Sequence, residues 1–325
     1  MAAIALGIIG FGIMGERLLR AALDHAAAHV RPVGVWDPSP AAAARLAEVA
    51  PGVPMLEGAA AVIEACDCLY VAAPPRAHLP LAEAALGAGK AVFLEKPLAV
   101  DLAEARAFVA KAEALGARAA VNFPMASSPA VAQLSAWREE GATGPAESLA
   151  IEVAFARWPR GWQQEAATWL SRRAEGGFTR EVVSHFLFLT RRQLGPLALE
   201  EARVTWPGRD ASETAIAARL TAGGLPVTLS GGVGTTEKDD HNTWTLRGPA
   251  GAIRLRDWSF AERLGADDGW HGAPDALPNE KMRPLVLKRQ LASVAAMTRG
   301  KVHGLATLRE ALEVQEVVEA ILASG

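Results

Sequence analysis

The chain has 325 residues, more than one hydrophobic core usually supports, so its length predicts about two domains. Half of the residues are hydrophobic and 21% are charged, which indicates a globular fold and excludes a disordered chain. The formal net charge of −3 provides no overall field that would collect nucleic acid or an anionic membrane, so neither is expected as a partner.

The first third of the chain alternates short apolar runs with alanine-rich stretches of helical periodicity. This alternation predicts repeated βαβ units over a parallel sheet, which is a doubly wound Rossmann domain of the α/β class. The predicted strands are residues 4–9, 32–36, 68–72, 91–94 and 117–121. The predicted helices are residues 14–28, 40–49, 77–86 and 102–115, each long enough to cross between parallel strands. We therefore place a first domain at residues 1–121.

After Asn122 the connections lengthen and the pattern changes. Alternating apolar and polar residues predict a C-terminal α+β domain, residues 122–325, with an open and mostly antiparallel sheet. Its predicted strands include residues 147–155, 200–206, 214–220, 227–230 and 243–246. Its predicted helices are residues 129–140, 178–194, 284–299 and 307–323. The last helix, from about residue 305 to 323, is a candidate to pack back on the first domain.

Cysteine usage and hydropathy indicate where the protein works. Cys66 and Cys68 fit neither a disulfide framework nor a zinc site with four ligands, so we expect a reducing compartment. The N-terminus shows no basic segment leading an apolar stretch, and nowhere do about 18 apolar residues follow one another. These patterns predict a soluble, cytoplasmic protein with no membrane partner.

A glycine motif, Gly10-Phe11-Gly12-Ile13-Met14-Gly15, follows the first predicted strand directly and opens the first predicted helix. Glycine permits a tight turn at Gly10, close approach of a pyrophosphate at Gly12, and close packing of helix on strand at Gly15. The amides at the start of the helix would then receive the phosphates. This order of elements predicts a dinucleotide site formed by residues 10–15.

Asp37 ends the second predicted strand, about 20 residues after Gly15. An acidic side chain at this place accepts hydrogen bonds from the adenosine ribose hydroxyls and repels a 2′-phosphate. The sequence therefore favours NAD over NADP as the cofactor. Arg45, or an arginine from elsewhere, is the alternative, since it could still reach a 2′-phosphate.

Two further segments follow the predicted strands that end at Ala72 and Leu94. They read Ala72-Ala73-Pro74-Pro75-Arg76-Ala77-His78 and Glu95-Lys96-Pro97-Leu98. Ligands bind at the carboxyl ends of strands in open α/β sheets, so residues there are candidates for chemistry. With the glycine motif, these segments resemble the glucose-fructose oxidoreductase and inositol dehydrogenase (Gfo/Idh/MocA) family over nearly the whole chain. The predicted cofactor contacts beyond the glycine motif and Asp37 are Ala73, Pro74, His78, Glu95 and Lys96.

The resemblance also implies which residues do the chemistry. In that family, the lysine of the Glu-Lys-Pro signature and an acidic residue followed four positions later by histidine line the reacting carbon. The matching residues here are Lys96, Glu181 and His185, and Glu181 stands where aspartate is usual. On a helix this spacing puts Glu181 and His185 on one face. We expect Lys96 and His185, from separate domains, to converge on the C4 edge of the nicotinamide.

These residue types suit hydride transfer to or from a hydroxyl-bearing carbon. Histidine, with an ordinary pKa near ~6.5, can accept or donate the hydroxyl proton around neutrality. Lys96 would hydrogen-bond the same oxygen and stabilise developing negative charge, and Glu181 would orient the imidazole or bind a substrate hydroxyl. The prediction is an NAD(P)-dependent dehydrogenase or reductase that acts on a sugar, polyol or similar small polar substrate.

Asn122 and Trp162 complete the predicted substrate contacts. Trp162 lies in a stretch rich in tryptophan and arginine, residues 157–173, whose side chains can stack on sugars or grip anions. Packing or a subunit contact is the alternative for this stretch. Family members often carry arginine or tyrosine soon after the position of Asn122, whereas this chain has Phe123-Pro124-Met125, and that departure leaves the substrate open.

The sequence also bears on metal binding, on assembly and on alternative functions. Two clusters, Asp239-Asp240-His241 and Asp267-Asp268 with His271, read as turns, so no metal is predicted. The resemblance implies a homodimer or homotetramer. An NAD-dependent glycoside hydrolase of the same fold and a non-catalytic ligand-sensing protein are the alternative functions. Retention of Lys96 and His185 argues against the sensor, and nothing in the sequence separates the dehydrogenase from the hydrolase.

Overall fold

This computed structural model describes residues 2–325, which divide into two units. The first unit joins the residues up to Ser127 with Arg283–Leu312, and the second joins Ser128–Met282 with Glu313–Gly325. The division predicted from the sequence lies at residue 121 and returns only the last helix to the first domain. In the structure, the returning segment is residues 283–312, which carry most of the helix before the last one.

The first unit is built on a parallel sheet. Its elements in chain order are β1 (Ile4–Ile9), α1 (Ile13–His25), β2 (Val30–Trp36), α2 (Pro40–Val49), α3 (Ala59–Ala65), β3 (Cys68–Val71), α4 (His78–Gly87), β4 (Ala91–Leu94), α5 (Leu102–Ala114) and β5 (Ala119–Val121). The strand order is β2-β1-β3-β4-β5, and neighbouring strands pair in parallel. The doubly wound prediction is confirmed. Helix α3 is an addition that the alanine-rich sequence did not distinguish from a loop.

The core of the first unit lies on both sides of this sheet. Strands β3 and β4 are buried over their whole length, as expected where helices cover both faces of a parallel sheet. Tyr70 of β3 and Phe93 of β4 stack with ring centroids 5.5 Å apart. Leu291 and Val294, far along the chain, are buried in the same apolar cluster. Segment 283–312 is therefore part of the core of this unit.

The second unit is built on a mixed sheet. Its elements in chain order are α6 (Pro129–Glu139), β6 (Ser148–Phe155), α7 (Ala167–Leu170), α8 (Ser184–Leu194), β7 (Leu197–Thr205), β8 (Ala215–Ala222), β9 (Leu225–Val233), β10 (Asp240–Gly248), β11 (Gly251–Arg256), β12 (Phe260–Leu264) and β13 (Trp270–Gly272). The strand order is β13-β12-β11-β10-β6-β9-β8-β7. The β6–β9 pair is parallel and its neighbours pair antiparallel, which confirms the mostly antiparallel prediction.

One face of this mixed sheet is covered. Burial alternates along β6 and β8, as expected when one face of a sheet meets a core and the other does not. Trp244 of β10 is fully buried, and its indole nitrogen donates to the Thr190 hydroxyl of α8 at 2.9 Å. Helix α8 therefore packs on the covered face. The chain ends with α9 (Asn279–Thr298) and α10 (Leu308–Ala323).

Candidate cofactor and catalytic site

The glycine motif forms the turn between β1 and α1. Gly10 has a φ of +93°, in the left-handed region that favours glycine. A Cβ on Gly10 would lie 2.4 Å from the carbonyl carbon of Ala72, just after β3, and a Cβ on Gly15 would lie 2.1 Å from the Gly10 oxygen. Glycine is therefore required at both places by close contacts within the protein.

Gly12 needs a different explanation. Its φ is −82°, and a Cβ there would meet no atom of residues 2–325 within 4 Å. Gly12 is the N-cap of α1, where backbone amides point outward and the helix dipole favours an anion. A pyrophosphate that approaches these amides closely would explain why no side chain stands at this position. The turn thus fits a dinucleotide.

The turn also lies where a ligand is expected in a sheet of this order. With strand order β2-β1-β3-β4-β5, the connections reverse direction between β1 and β3. Ligands in open α/β sheets bind outside the carboxyl ends of the strands at such a switch point. The close approach of Gly10 to Ala72 and to the amide of Ala73 joins those two strand ends.

Asp37 follows β2 and is fixed against the glycine turn. Its Oδ2 accepts a hydrogen bond from the Phe11 amide at 2.7 Å, and its Oδ1 accepts one from the Ser39 amide at 2.8 Å. An ionised carboxylate can accept about four hydrogen bonds, so capacity remains for ribose hydroxyls. The carboxylate is held in place by the same backbone that would meet the cofactor.

Arg45 is engaged by two glutamates. Its guanidinium donates twice to Glu16 of α1, both at 2.8 Å, and once to Glu48 at 2.9 Å. The hydrogen bond from Arg45 holds the pKa of the Glu16 carboxyl below its usual range. The guanidinium that the sequence offered as a partner for a 2′-phosphate therefore already faces two carboxylates.

His78 connects the loops that follow β3 and β4. Its Nε2 lies 2.8 Å from the Ala73 oxygen and its Nδ1 lies 2.8 Å from the Pro97 oxygen. Burial lowers the pKa of His78, which favours the neutral ring, and a neutral imidazole donates to only one of these two carbonyls at a time. The ring is only 1% exposed. The His78 side chain therefore links the two loops through their backbone carbonyls. Its predicted contact with the cofactor stays a prediction.

A buried polar network holds the Glu95 side chain. Its Oε1 accepts hydrogen bonds from the Tyr70 hydroxyl and from Asn122 Nδ2, the latter at 2.5 Å. Asn122 Oδ1 in turn accepts from Gln290 Nε2 of α9 at 2.7 Å. Burial and the Glu95 carboxylate raise the pKa of Tyr70 well above its usual value, so the phenol stays a donor. Asn122 is 1% exposed, and its predicted contact with substrate stays a prediction.

Lys96 follows Glu95 at the carboxyl end of β4 and is half-buried. The backbone is fixed on both sides of it. The Glu95 amide donates to the Val71 oxygen at 2.9 Å, and the Pro97 carbonyl meets His78. The Lys96–Pro97 peptide bond is cis. The structure thus puts Lys96 in the same unit as the glycine turn, at the edge of the sheet where ligands bind.

Glu181 and His185 lie on the helical segment that ends in α8. Residues Thr179–Val183 form one π-helical turn before α8 begins, whereas the sequence predicts a continuous α-helix over 178–194. Single π-helical turns are frequent at functional sites. Glu181 is half-buried and His185 is 9% exposed. The four positions between Glu181 and His185 therefore include part of the wider π-helical turn.

Glu213, which sequence analysis missed, anchors the start of this segment. Its Oε1 accepts from the Thr179 amide at 2.7 Å and from the Thr179 hydroxyl at 2.6 Å. Gly177 has a φ of +98°, and a Cβ there would lie 2.1 Å from Glu213 Oε2. Burial raises the pKa of the Glu213 carboxyl. Glu213 lies 34 positions from Thr179, so no local pattern reveals it.

Trp258, also missed, packs against His185. The two rings meet edge to face, with centroids 5.6 Å apart and planes at 78°. Trp162, which the sequence did single out, is 45% exposed and lies on Arg160, whose guanidinium carbon is 4.8 Å from the ring centre. Arg160 donates to Asp240 at 2.7 Å. Asp240 is therefore engaged as a hydrogen-bond acceptor in this region.

Four other members of these clusters, Asp239, His241, Asp267 and His271, also have side-chain partners within the protein. The Asp239 carboxylate accepts from the Gly161 amide at 2.9 Å, and His241 Nδ1 lies 2.6 Å from Asp257. Asp267 lies 2.8 Å from His271. In the part of the chain that the structure describes, no group of three or more His, Cys, Asp or Glu side chains is arranged to hold a metal ion. In the same part, no helix is both long and apolar enough to span a membrane.

Comparison with known families decides what the first unit is. Residues 4–123 match the Gfo/Idh/MocA model, described as an oxidoreductase family with an NAD-binding Rossmann fold. This region belongs to the Gfo/Idh/MocA family. The resemblance seen in the glycine motif and in Glu95-Lys96-Pro97 is thereby confirmed, since both segments lie within the matched Gfo/Idh/MocA region.

Curated relatives of this Gfo/Idh/MocA region match it in part. An inositol 2-dehydrogenase of Cereibacter sphaeroides is 38% identical over 114 residues, which are 35% of this chain and 34% of that protein. The oxidoreductase cns1 of Cordyceps militaris is 28% identical over 158 residues, which are 46% of this chain and 19% of that protein. The chain thus spans about a third or less of the length of these relatives.

Solved structures extend the likeness beyond the matched Gfo/Idh/MocA region. A levoglucosan dehydrogenase in complex with NADH aligns over 99% of this chain and 96% of its own, with a TM-score of 0.81. The sequence identity is 19%, so this likeness shows the fold alone. It covers both the parallel sheet and the mixed sheet.

Proposed function

We propose that the protein is an NAD-dependent dehydrogenase that acts on a CH–OH group of a sugar, polyol or similar small polar molecule. The proposal rests mainly on the open space at Gly12, which we call the cradle. No contact within the protein requires a glycine there, whereas a bound pyrophosphate would, and the domain matches an NAD-binding oxidoreductase family. An inositol 2-dehydrogenase and a levoglucosan dehydrogenase are among the proteins that this chain resembles, which supports the substrate class.

Residues 10–15 would hold the cofactor at its pyrophosphate, and Asp37 would hold it at the adenosine ribose. NAD, when bound, supplies the nicotinamide that accepts or returns the hydride. NAD is proposed over NADP because the Asp37 carboxylate would repel a 2′-phosphate, and because Arg45 is already paired with Glu16 and Glu48. Ala73, Pro74 and Glu95 remain proposed contacts around the nicotinamide end.

Lys96 and His185 would act on one substrate oxygen. In the oxidation direction, the His185 imidazole takes the proton of the hydroxyl as the hydride leaves the carbon. The Lys96 ammonium donates a hydrogen bond to the same oxygen and stabilises the charge that develops there. Glu181 would orient the imidazole or bind a neighbouring hydroxyl, and Trp162 would contact the substrate. Asn122 would act through Glu95, given the bonds it already makes.

The test is the absorbance of NADH near ~340 nm with NAD+ or NADP+ and a panel of polyols, among them myo-inositol, levoglucosan and D-sorbitol. Reduction that accumulates with turnover, and faster with NAD+, is the expected result. Release of an aglycone from an aryl glycoside with no net change in absorbance would overturn the proposal in favour of a hydrolase.

The Lys96→Ala variant tests the mechanism. Loss of a donor to the reacting oxygen is expected to lower kcat by about 10²–10³-fold while NAD+ affinity stays nearly the same. Lys111→Ala is the matched control, because the Lys111 ammonium pairs with Glu83 at the surface of α5 and is expected to leave kcat unchanged. Turnover of Lys96→Ala equal to that of the parent would remove Lys96 from the mechanism.

The assembly and location of the protein are also proposals. The family resemblance supports a homodimer or homotetramer, which light scattering on the purified chain would measure. Cys66 and Cys68 are buried free thiols, which suits the reducing cytoplasm. A monomer in light scattering would contradict the assembly proposal.

A further inference from the structure

The turn between β11 and β12 holds two non-glycine residues in the left-handed region. Asp257 has a φ of +45° and Trp258 a φ of +72°. For a residue as bulky as tryptophan this backbone conformation is a genuine outlier. Such conformations persist only where the surroundings fix them, and they cluster at sites that bind ligands. Packing alone does not account for this conformation, so the turn needs a further explanation.

Asp257 locks the backbone of this turn. The Asp257 amide donates to the Asn242 oxygen at 2.9 Å, and its Oδ1 accepts from the Asn242 amide at 3.2 Å. His241 Nδ1 lies 2.6 Å from the same Oδ1, and Arg256 donates to Oδ2 at 3.2 Å. Four contacts from β10 and β11 thus hold the residue before Trp258.

The Trp258 indole is fixed in its turn by Asp240. Its Nε1 donates to Asp240 Oδ2 at 3.2 Å, and Arg160 donates to that same oxygen at 2.7 Å. On its other side the indole packs on His185 and on Phe186, with the Phe186 centroid at 5.2 Å. The indole therefore has one orientation, beside the imidazole, set by hydrogen bonding as well as by packing.

These contacts form a continuous row. Trp162 lies on Arg160, Arg160 binds Asp240, Asp240 binds Trp258, and Trp258 meets His185. Trp258 is half-buried. An indole has a flat, electron-rich face that attracts positively polarised hydrogens. A polyol ring carries such hydrogens together on one face, whereas an open-chain polyol does not hold them in a plane.

We propose that Trp258 is the specificity-determining residue of this site, a platform that selects ring-shaped polyols over open-chain ones at His185. The proposal rests on the proposed function, because it takes His185 to be the group that meets the reacting hydroxyl. It narrows the substrate class from any small polyol to a cyclic one. It also explains why a tryptophan is kept in a backbone conformation that suits glycine or asparagine better.

The test compares Trp258→Asn with the parent on myo-inositol and D-sorbitol, which have the same number of carbons and hydroxyls but differ in being cyclic or open. Asparagine tolerates the left-handed conformation, so the variant is expected to fold, with a Tm lowered by the loss of the indole's contacts with Phe186 and Asp240. We expect kcat/KM for myo-inositol to fall about tenfold, the upper range of an aromatic contact, and kcat/KM for D-sorbitol to change less than twofold or so.

Two further variants serve as controls for Trp258→Asn. Trp258→Phe keeps an aromatic face and is expected to retain most of the preference for myo-inositol. Trp270→Asn is the matched control, because Trp270 lies on the edge strand β13 with the Arg254 guanidinium 4.1 Å from its ring centre. This variant is expected to leave kcat/KM unchanged for both myo-inositol and D-sorbitol. NADH affinity, measured by fluorescence, is expected to be the same in all of them. An equal loss on both polyols, or no loss on myo-inositol, overturns the platform.

Failure of the proposed function is recognised separately. If the parent chain reduces NAD+ with no polyol of the panel, the dehydrogenase proposal fails, and calorimetric binding of myo-inositol to the NADH-loaded protein then decides on Trp258. Binding by the parent that weakens about tenfold in Trp258→Asn supports the platform. Binding that is absent in the parent, or equal in the variant, overturns it.

Discussion

The three glycines of the turn after β1 serve two different ends. Gly10 and Gly15 are needed because a Cβ would meet backbone atoms at 2.4 Å and 2.1 Å, so both protect the fold. Gly12 has an ordinary φ of −82° and room around it, so its value to the protein lies in what approaches it from outside the chain. The same residue type thus has a structural role at two positions and a proposed binding role at the third.

This difference predicts opposite results for two alanine variants. Gly12→Ala is expected to keep the free energy of unfolding within about 1 kcal/mol and to weaken NADH binding about tenfold or more, since a Cβ would crowd the pyrophosphate. Gly15→Ala is expected to lower the free energy of unfolding, by about 1–3 kcal/mol, because the Gly10 carbonyl must shift. Denaturant unfolding and NADH fluorescence measure the two quantities. Full NADH affinity in Gly12→Ala would contradict the cradle.

At the scale of elements, the segment that carries Glu181 and His185 begins with an unusual arrangement. A π-helical turn, Thr179–Val183, follows Gly177, and the buried carboxyl of Glu213 accepts both hydrogen bonds offered by Thr179. Glu213 Oε2 is buried with no hydrogen-bond partner among residues 2–325. An ionised carboxylate in this position is costly, which is why burial raises its pKa.

The raised pKa sets the sign of a pH effect. Glu213 binds its proton more tightly in the folded chain than in the unfolded chain, whose value is close to 4.5. Its contribution to stability is therefore complete below about pH 4.5 and is lost as the pH rises through the folded pKa. Glu213→Gln stays neutral, so its free energy of unfolding is expected to rise relative to the parent as the pH increases across that range.

The measurement is denaturant unfolding of both proteins at a series of pH values from about 4.5 to 8. Glu200→Gln, at an exposed position of β7, is the control and is expected to follow the parent. Parallel profiles for Glu213→Gln and the parent would show that the carboxyl is not protonated in the fold.

At the scale of the whole molecule, the sequence predicts what local patterns encode. Apolar runs give the strands of the parallel sheet within about two residues, because each strand is short and mostly apolar. The glycine motif and Lys96 are likewise found from neighbours in sequence. Glu213 and Trp258 could not be found, since their partners Thr179 and His185 lie on distant elements that only the tertiary fold brings together.

The same limit explains the domain division. Leu291, Val294 and Ala295 of α9 stand at three- and four-residue spacing, which indicates that one face of the helix is buried without showing against which core. In the structure, Leu291 is fully buried in the core that includes Ile8, Tyr70 and Phe93. Gln290, the residue before it, reaches Asn122 and so supports Glu95 as well. The first unit is thus completed by a segment that lies far along the chain, since Gln290 and Asn122 are 168 positions apart.

Leu291→Ala is therefore expected to damage the unit that binds the cofactor, although it lies near the other end of the chain. Removing a fully buried leucine leaves a cavity that typically lowers the free energy of unfolding by about 2–5 kcal/mol. Leu285→Ala on the same helix removes a side chain that is 44% exposed, and it is expected to cost less than about 1 kcal/mol. Unfolding followed by the loss of NADH fluorescence reports the cofactor-binding unit itself. If Leu291→Ala left that transition where the parent has it, α9 would not be part of the Rossmann core in solution.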